Sequence, residues 1–414
     1  MRVLLCTLPQ KTHFLGMVPL AWALRTAGHE VRVASQPKFT ETITGAGLTA
    51  VPVGTDVVHD AESDNAEARE SIRRGLPKPY DVAELLPAEI PWTDEIRESH
   101  QLMVTYAIAA ENAPMVTELV EFSRFWKPDL VLWEPFTYAG PIAARASGAV
   151  HARMLFTLDI LGVAHEWVQR QTAQDPLVGW LTETARTHRF DYSADLLSGQ
   201  FTIDQLCDSL RVAADLRYLS VRYVPYGGAA VVPGWLAVPP RRPRVALTMG
   251  LSTTEYFNGY TVNVRDVLDE LSDLDIELIA TITEPEQEKL GRVPGNARLV
   301  PYVPLHALAP TCAAAIHHGG FGTLSTFALH AVPQLALPYH FEGPLLARKL
   351  AGQGAGLSLH SDFADGRAIR AKLLRLLEEP GFADRARLLR KEIFGLPTPN
   401  QFVHQLEEIT VELR

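Results

Sequence analysis

The chain is poor in cysteine: it has three in 414 residues (Cys6, Cys207 and Cys312), far apart and with no Cys-x-x-Cys pair. That excludes a disulfide framework and a cysteine-based metal or redox motif. Cys6 and Cys312 stand in apolar runs, Val3-Leu4-Leu5-Cys6 and Cys312-Ala313-Ala314-Ala315-Ile316, the setting of reduced core cysteines in a cytosolic protein. It also lacks a basic tract. Acidic and basic residues are interspersed and the formal net charge is −10, which argues against nucleic acid or an anionic membrane as the main partner. No apolar stretch reaches membrane-spanning length, and the run after Arg2 turns polar at Pro9-Gln10-Lys11, too soon for a signal peptide. A soluble, cytoplasmic protein is expected. There is no short-period repeat, and His151, His165 and His188 lack metal-ligand spacing.

What is present is ordinary globular material, 47% hydrophobic and 21% charged, in a chain long enough for two cores. Apolar strands at 2–8, 30–34 and 48–53 alternate with a helical segment at 15–27, in which Pro19 suits the first turn and Gly28 the C-terminal cap. Between Asp60 and Glu111 the rhythm breaks around Pro77, Pro79, Pro87 and Pro91, as in an irregular functional insertion. Strands return at 128–133 and 151–157, and residues 182–216 read as mainly helical. The Pro/Gly/Arg-rich stretch at 224–243 marks a domain boundary. Beyond it strands at 244–248, 276–282, 297–303, 313–317 and 334–338 alternate with helices. Such alternation predicts two doubly wound parallel-sheet α/β domains facing each other, at 1–225 and 243–397, joined by a linker at 226–242.

The strongest local signal is His317-His318-Gly319-Gly320-Phe321-Gly322-Thr323, between an apolar strand and a helix. Glycines let the backbone approach an anion, and a helix start offers unpaired N–H groups. His318 can donate to a phosphate oxygen and Thr323 adds a hydroxyl. The spacing is not the Gly-x-Gly-x-x-Gly dinucleotide fingerprint. Read alone, the segment leaves open a tight strand-to-helix turn that simply needs glycine.

From Tyr302 to Leu350 the chain resembles the GT-B nucleotide-sugar glycosyltransferases, closest to those that transfer deoxysugars in macrolide and related antibiotic biosynthesis. The resemblance rests on Tyr302-Val303-Pro304, the His317–Thr323 run, Val332-Pro333-Gln334 and the stretch from Pro338 to Leu350. The opening, from His13 through Pro19-Leu20-Ala21-Trp22 to Gly28-His29-Glu30-Val31, matches as well. It implies two Rossmann-like domains facing a cleft, with 398–414 packing back on the first. Tyr302 would stack on the base and Val303 would pair with it. His318, Gly319, Gly320, Gly322 and Thr323 would hold the pyrophosphate, and Ser252 would touch a phosphate. Glu342 stands where the family has an acid that accepts donor-sugar hydroxyls. Gly343 and Leu346 replace polar residues common in the family, which implies a sugar poorer in hydroxyls. The donor would be a TDP- or UDP-sugar, with no cofactor and no metal. Asp273-Leu274-Asp275 imitates a metal-binding Asp-x-Asp but falls in a turn that favours Asp.

Catalysis is expected from His13 as general base, in the loop after the first strand, where a helix N-terminus favours neutral imidazole. Glu134, at a strand end, would orient it. The acceptor, a hydrophobic polyketide-like aglycone, would meet apolar residues including Leu76, Trp92, Met103, Phe136, Leu155 and Phe156. The resemblance also admits a helper protein and a homodimer. Two rival readings stay open: a nucleotide-sugar 2-epimerase, which would need clustered carboxylates, and a non-catalytic nucleotide-sugar-binding partner.

Overall fold

The structure, a computed structural model, describes residues 1–57, 78–82, 84–250 and 259–414. Leu76 and Ser252 lie outside the described residues. The first lobe carries a parallel sheet of β1 (Arg2–Cys6), β2 (Glu30–Ser35), β3 (Thr49–Pro52), β4 (Leu130–Trp133), β5 (Val150–Met154), β6 (Phe201–Asp204) and β7 (Tyr218–Ser220) in the order β3-β2-β1-β4-β5-β6-β7. In the second lobe β8 (Arg244–Thr248), β9 (Glu277–Thr281), β10 (Ala297–Val300), β11 (Ala314–His317), β12 (Gln334–Ala336) and β13 (Gly356–Ser358) run β10-β9-β8-β11-β12-β13. Each is the doubly wound order, reversing between β1 and β4 and between β8 and β11.

The central strands are short apolar runs because helices cover both faces of the sheets. Strand alternation sends Val3 and Leu5 to one side of the first sheet and Leu4 and Cys6 to the other. The first side packs on helices Val18–Thr26 and Pro399–Glu412, the latter supplying Phe402, Val403, Leu406 and Ile409. The other packs on helices Ala110–Trp126 and Ala139–Ser147 through Leu119, Val120, Ile142 and Ala143. Each fully buried Phe, Leu, Ile or Val among them contributes about 1.5–3 kcal/mol against exposure. A further cluster joins the lobes: Leu158, Ile160 and Leu206 of the first pack with Tyr223, Phe321, Leu324 and Leu345.

The sequence reading fails in two places. Residues 94–111 are helical, not irregular: helix Asp94–Leu102 runs through a π-helical segment, Met103–Ala109, into Ala110–Trp126. The Thr93 hydroxyl accepts from Ile96 N–H, and Asp94 and Glu95 lie in the positive first turn, a start signal obscured by the prolines before it. The stretch 182–216 holds β6, a strand too short for periodicity to reveal.

Candidate active site

The site forms where ligands sit in open α/β sheets, outside the carboxyl ends of the strands at the order reversal. Past β1 the chain turns at Pro9 into a short helix, Lys11–Leu15, so His13 belongs to a helix and not to the predicted loop. Gln10 carbonyl accepts from the N–H of His13 (3.2 Å) and of Phe14 (3.1 Å), which closes that turn. Next door, β4 ends at Trp133 and the following residue, Glu134, is fully buried.

His13 Nδ1 lies 3.1 Å from Glu134 Oε2. A carboxylate can only accept, so Nδ1 donates to it, and in the neutral ring Nε2 is then the nitrogen with the lone pair. Burial pushes the Glu134 carboxyl upward, but the His13 charge and hydrogen bond, the Thr137 hydroxyl and the Phe136 N–H outweigh it and hold the group below the usual range. Phe136 N–H donates to Oε2 at 3.0 Å, and the Thr137 hydroxyl donates to Oε1. The imidazole stacks on Phe156, with ring centroids 3.7 Å apart and planes within 13°, and lies 5.9 Å from Phe136. One face and one nitrogen of the imidazole are therefore fixed.

Sequence reasoning missed the residue beneath this loop. Asn112, fully buried, donates from Nδ2 to the carbonyls of Phe136 and Ile108 (both 2.8 Å) and accepts from Ala139 N–H at 2.9 Å. It thereby pins both ends of the segment that presents Phe136 and Thr137 to Glu134. Ile108 sits in the π-helical segment, one turn before Asn112.

In the second lobe, β11 leads into the glycine run and then helix Phe321–Leu329, with Gly320 as its N-cap. His317 is structural: Nδ1 accepts from Gly319 N–H (3.0 Å), so Nε2 carries hydrogen and donates to Gln334 Oε1 at 2.8 Å. Burial pushes it down to about 3, and it stays neutral. The His318 ring fills space that glycines leave. A Cβ on Gly320 would stand 2.4 Å from His318 Nε2, and one on Gly250, at φ +75, 2.7 Å from the same ring. Gly250 follows β8, so its role emerges only once β8 and β11 lie side by side. Burial lowers His318 to about 4 against the opposing pull of the Thr248 carbonyl, leaving a neutral imidazole that can donate one N–H.

One cavity of about 590 Å³ takes in His13 and Phe156 from the first lobe and Tyr302, Val303, His318, Gly319, Gly320, Gly322, Thr323 and Glu342 from the second. Tyr302 lies beyond the end of β10 and is 45% exposed, free to offer its ring to the cavity. Glu342 is the N-cap residue of helix Gly343–Gln353, and burial raises its carboxyl, with Thr157 and His13 opposing. Before it, Phe341 holds φ 58, a strained conformation for an aromatic residue and a mark of functional turns.

Other predicted residues fall elsewhere. Trp92 packs edge-on against Trp167 at 5.3 Å, outside the cavity, because helix Asp94–Leu102 carries that segment onto helix Ile160–Gln171. Met103 and Leu155 are core residues. Phe136 borders a small void next to Phe156 and Phe341. Asp273 and Asp275 pair with Arg370 and Arg242 at the surface. Among the described residues no group of three His, Cys, Asp or Glu could hold a metal, and no helix is long and apolar enough to cross a membrane.

Comparison with known proteins places this geometry in context. Residues 22–250 match the N-terminal domain of erythromycin biosynthesis protein CIII-like proteins and residues 265–409 the C-terminal domain. The 10-deoxymethynolide desosaminyltransferase of Streptomyces venezuelae is 44% identical, over 100% of this chain and 98% of its own. The aclacinomycin-T 2-deoxy-L-fucose transferase of Streptomyces galilaeus is 40% identical, over 100% and 97%. The crystal structure of glycosyltransferase VinC in complex with DTDP superposes with a TM-score of 0.88 at 35% identity, covering 100% of both chains.

Proposed function

This chain belongs to the erythromycin biosynthesis CIII-like family and is a GT-B glycosyltransferase; from that premise we propose that it moves a deoxysugar from a TDP-sugar to a hydroxyl of a polyketide-like aglycone, with inversion. The observation that carries the reading is the shared cavity, lined by His13 of one lobe, with Glu134 buried behind it, and by the glycine-rich helix start of the other.

Nε2 of His13 takes the proton of the acceptor hydroxyl as that oxygen attacks the anomeric carbon, and Glu134 steadies the imidazolium. The glycosidic C–O bond breaks and its electron pair leaves with the diphosphate. The N–H groups at the start of helix Phe321–Leu329, the Thr323 hydroxyl and the neutral His318 are aligned to receive that charge without reorganising. Tyr302 takes the face of the base; a thymine base fits the DTDP bound by the related structure.

Phe156 and Phe136 offer aromatic surface beside the base for a hydrophobic acceptor. An epimerase is disfavoured because Glu342 is the one carboxylate among the described lining residues. The test is incubation of purified protein with TDP- and UDP-sugars and polyketide aglycones, with product detected by mass spectrometry and its anomeric configuration read by NMR. A glycoside of inverted configuration is expected; retention, or donor isomerisation without transfer, would overturn the mechanism. Full activity of the purified chain alone would dismiss a helper protein.

A further inference from the structure

Thr137 is wholly buried beside the paired ends of β1 and β4. Its backbone is fixed on both sides: its N–H donates to the Glu134 carbonyl at 2.9 Å, and its carbonyl accepts from Gly140 N–H at 3.0 Å. Its hydroxyl makes two bonds of opposite sense. Oγ1 accepts from Leu8 N–H at 2.8 Å, and the hydroxyl donates to Glu134 Oε1. Leu8 opens the turn that carries the chain through Pro9 and Gln10 to His13. We infer that Thr137 is a positioning residue for the proposed base, a single hydroxyl that ties the chain leading to His13 to the carboxylate paired with it. This rests on the His13–Glu134 reading above and deepens it.

A hydroxyl has one hydrogen and a carboxylate can only accept, so the Thr137 hydrogen points at Oε1. Oε2 takes His13 Nδ1 at 3.1 Å and Phe136 N–H at 3.0 Å. Each oxygen thus has its own donors, and Glu134 cannot turn away from His13 without breaking a bond at Oε1. A proton arriving on Oε1 would take the acceptor from the Thr137 hydrogen in a site closed to water. The proton gained by the imidazole therefore stays on the imidazole. Burial pushes the Glu134 carboxyl up, and Thr137 joins His13 in bringing it down. Without the hydroxyl the carboxylate is more basic and holds the imidazolium more firmly, so the base is protonated at higher pH. The other titratable groups facing the pair are Cys6 and Tyr138 of the first lobe and Glu342 of the second. Burial raises Cys6 and Tyr138, which stay uncharged near pH 7, and Glu342 is common to every variant compared.

The experiment follows the ring carbons of isotope-labelled histidines by NMR as pH is varied, with His13 identified as the resonance missing from His13→Ala. Thr137→Val keeps the shape and removes the hydroxyl. It is expected to move the His13 midpoint upward by about half a pH unit or more, a fraction of one charge-assisted hydrogen bond. Thr137→Ser keeps the hydroxyl and should titrate as wild type. With the donor and acceptor found by the product screen, Thr137→Val should lose about tenfold in kcat, its acid limb displaced the same way, with donor KM unchanged. A purely structural role would lower the melting temperature and leave the midpoint in place. If Thr137→Val does not fold, Thr137→Cys, of similar size and a weaker donor, should give a smaller upward shift. An unmoved midpoint, or an equal shift in Thr137→Ser, would overturn the inference. Glu134→Gln separates the two readings. A midpoint lowered by Glu134→Gln but unmoved by Thr137→Val removes the Thr137 assignment alone; one unmoved by both removes the pair itself.

Discussion

In the first lobe the strand ends beside the order reversal lead to side chains of opposite character, His13 after β1 and Glu134 after β4. In the second lobe the equivalent ends, after β8 and β11, lead to Gly250 and His318, an imidazole seated against glycine. The same topological position thus serves two kinds of electrostatics. The first lobe buries a carboxylate and surrounds it with donors, the arrangement that the proposed base would need to fix one nitrogen and answer the charge it gains. The second lobe gives up side chains at its glycine run and holds His317 and His318 low, the arrangement that the proposed anion cradle would need to bring backbone N–H groups close to a ligand. On the proposed function, chemistry falls to one half and donor binding to the other.

That contrast can be broken most forcefully at His13. His13→Ala is expected to lower kcat roughly a thousandfold, the scale of a lost general base, measured by steady-state turnover at saturating donor; residual activity near wild type would remove the base assignment. Glu134→Gln keeps the shape but weakens the charge answering the imidazolium. We expect kcat to fall by about a hundredfold, less than a lost base, with donor KM little changed. Asn112→Ala leaves the Phe136 and Ile108 carbonyls and Ala139 N–H without their partner. Its expected effect is a destabilisation of about 2 kcal/mol in denaturant unfolding, with kcat reduced more than donor affinity.

The smallest effect sharpens the contrast through pH. Burial raises Asp204, in the first lobe, to about 7, with the Leu206 N–H opposing. Between its unfolded value near 4 and about 7 the native state binds more protons, so this group favours folding as pH falls. His317 and His318 run the other way. Lowered to about 3 and about 4, they resist protonation in the fold, and their contribution is lost as pH drops below the unfolded value of 6.5. Asp204→Asn keeps an oxygen for Leu206 N–H but removes the carboxyl whose proton uptake offsets the histidines. Its melting temperature should therefore fall more steeply than wild type between pH 7 and 5; parallel curves would contradict the assignment.

Much of the fold was legible in the sequence because its signals are local. Short apolar strands alternating with helices foretold both parallel sheets, and the His317–Thr323 run foretold a strand feeding a glycine-rich helix start. His13 was picked out beside β1, although Gln10 and Phe14 close a helical turn around it. What could not be read depends on contacts distant in sequence. Asn112 reaches residues 24 and 27 positions away, and nothing in its neighbourhood distinguishes it from a surface asparagine. Gly250 matters because β8 lies beside β11 and brings it under His318. Trp92 looked like acceptor surface because prolines masked the start of the helix that buries it against Trp167.

Calorimetric titration of TDP into His13→Ala and Gly320→Ala, side by side, tests the division of labour most directly. His13→Ala is expected to bind TDP as wild type does, and Gly320→Ala, whose Cβ would collide with the His318 ring, to bind at least about tenfold more weakly, the loss of one or more hydrogen bonds to a charged group. Weak binding by His13→Ala, or wild-type binding by Gly320→Ala, would contradict it.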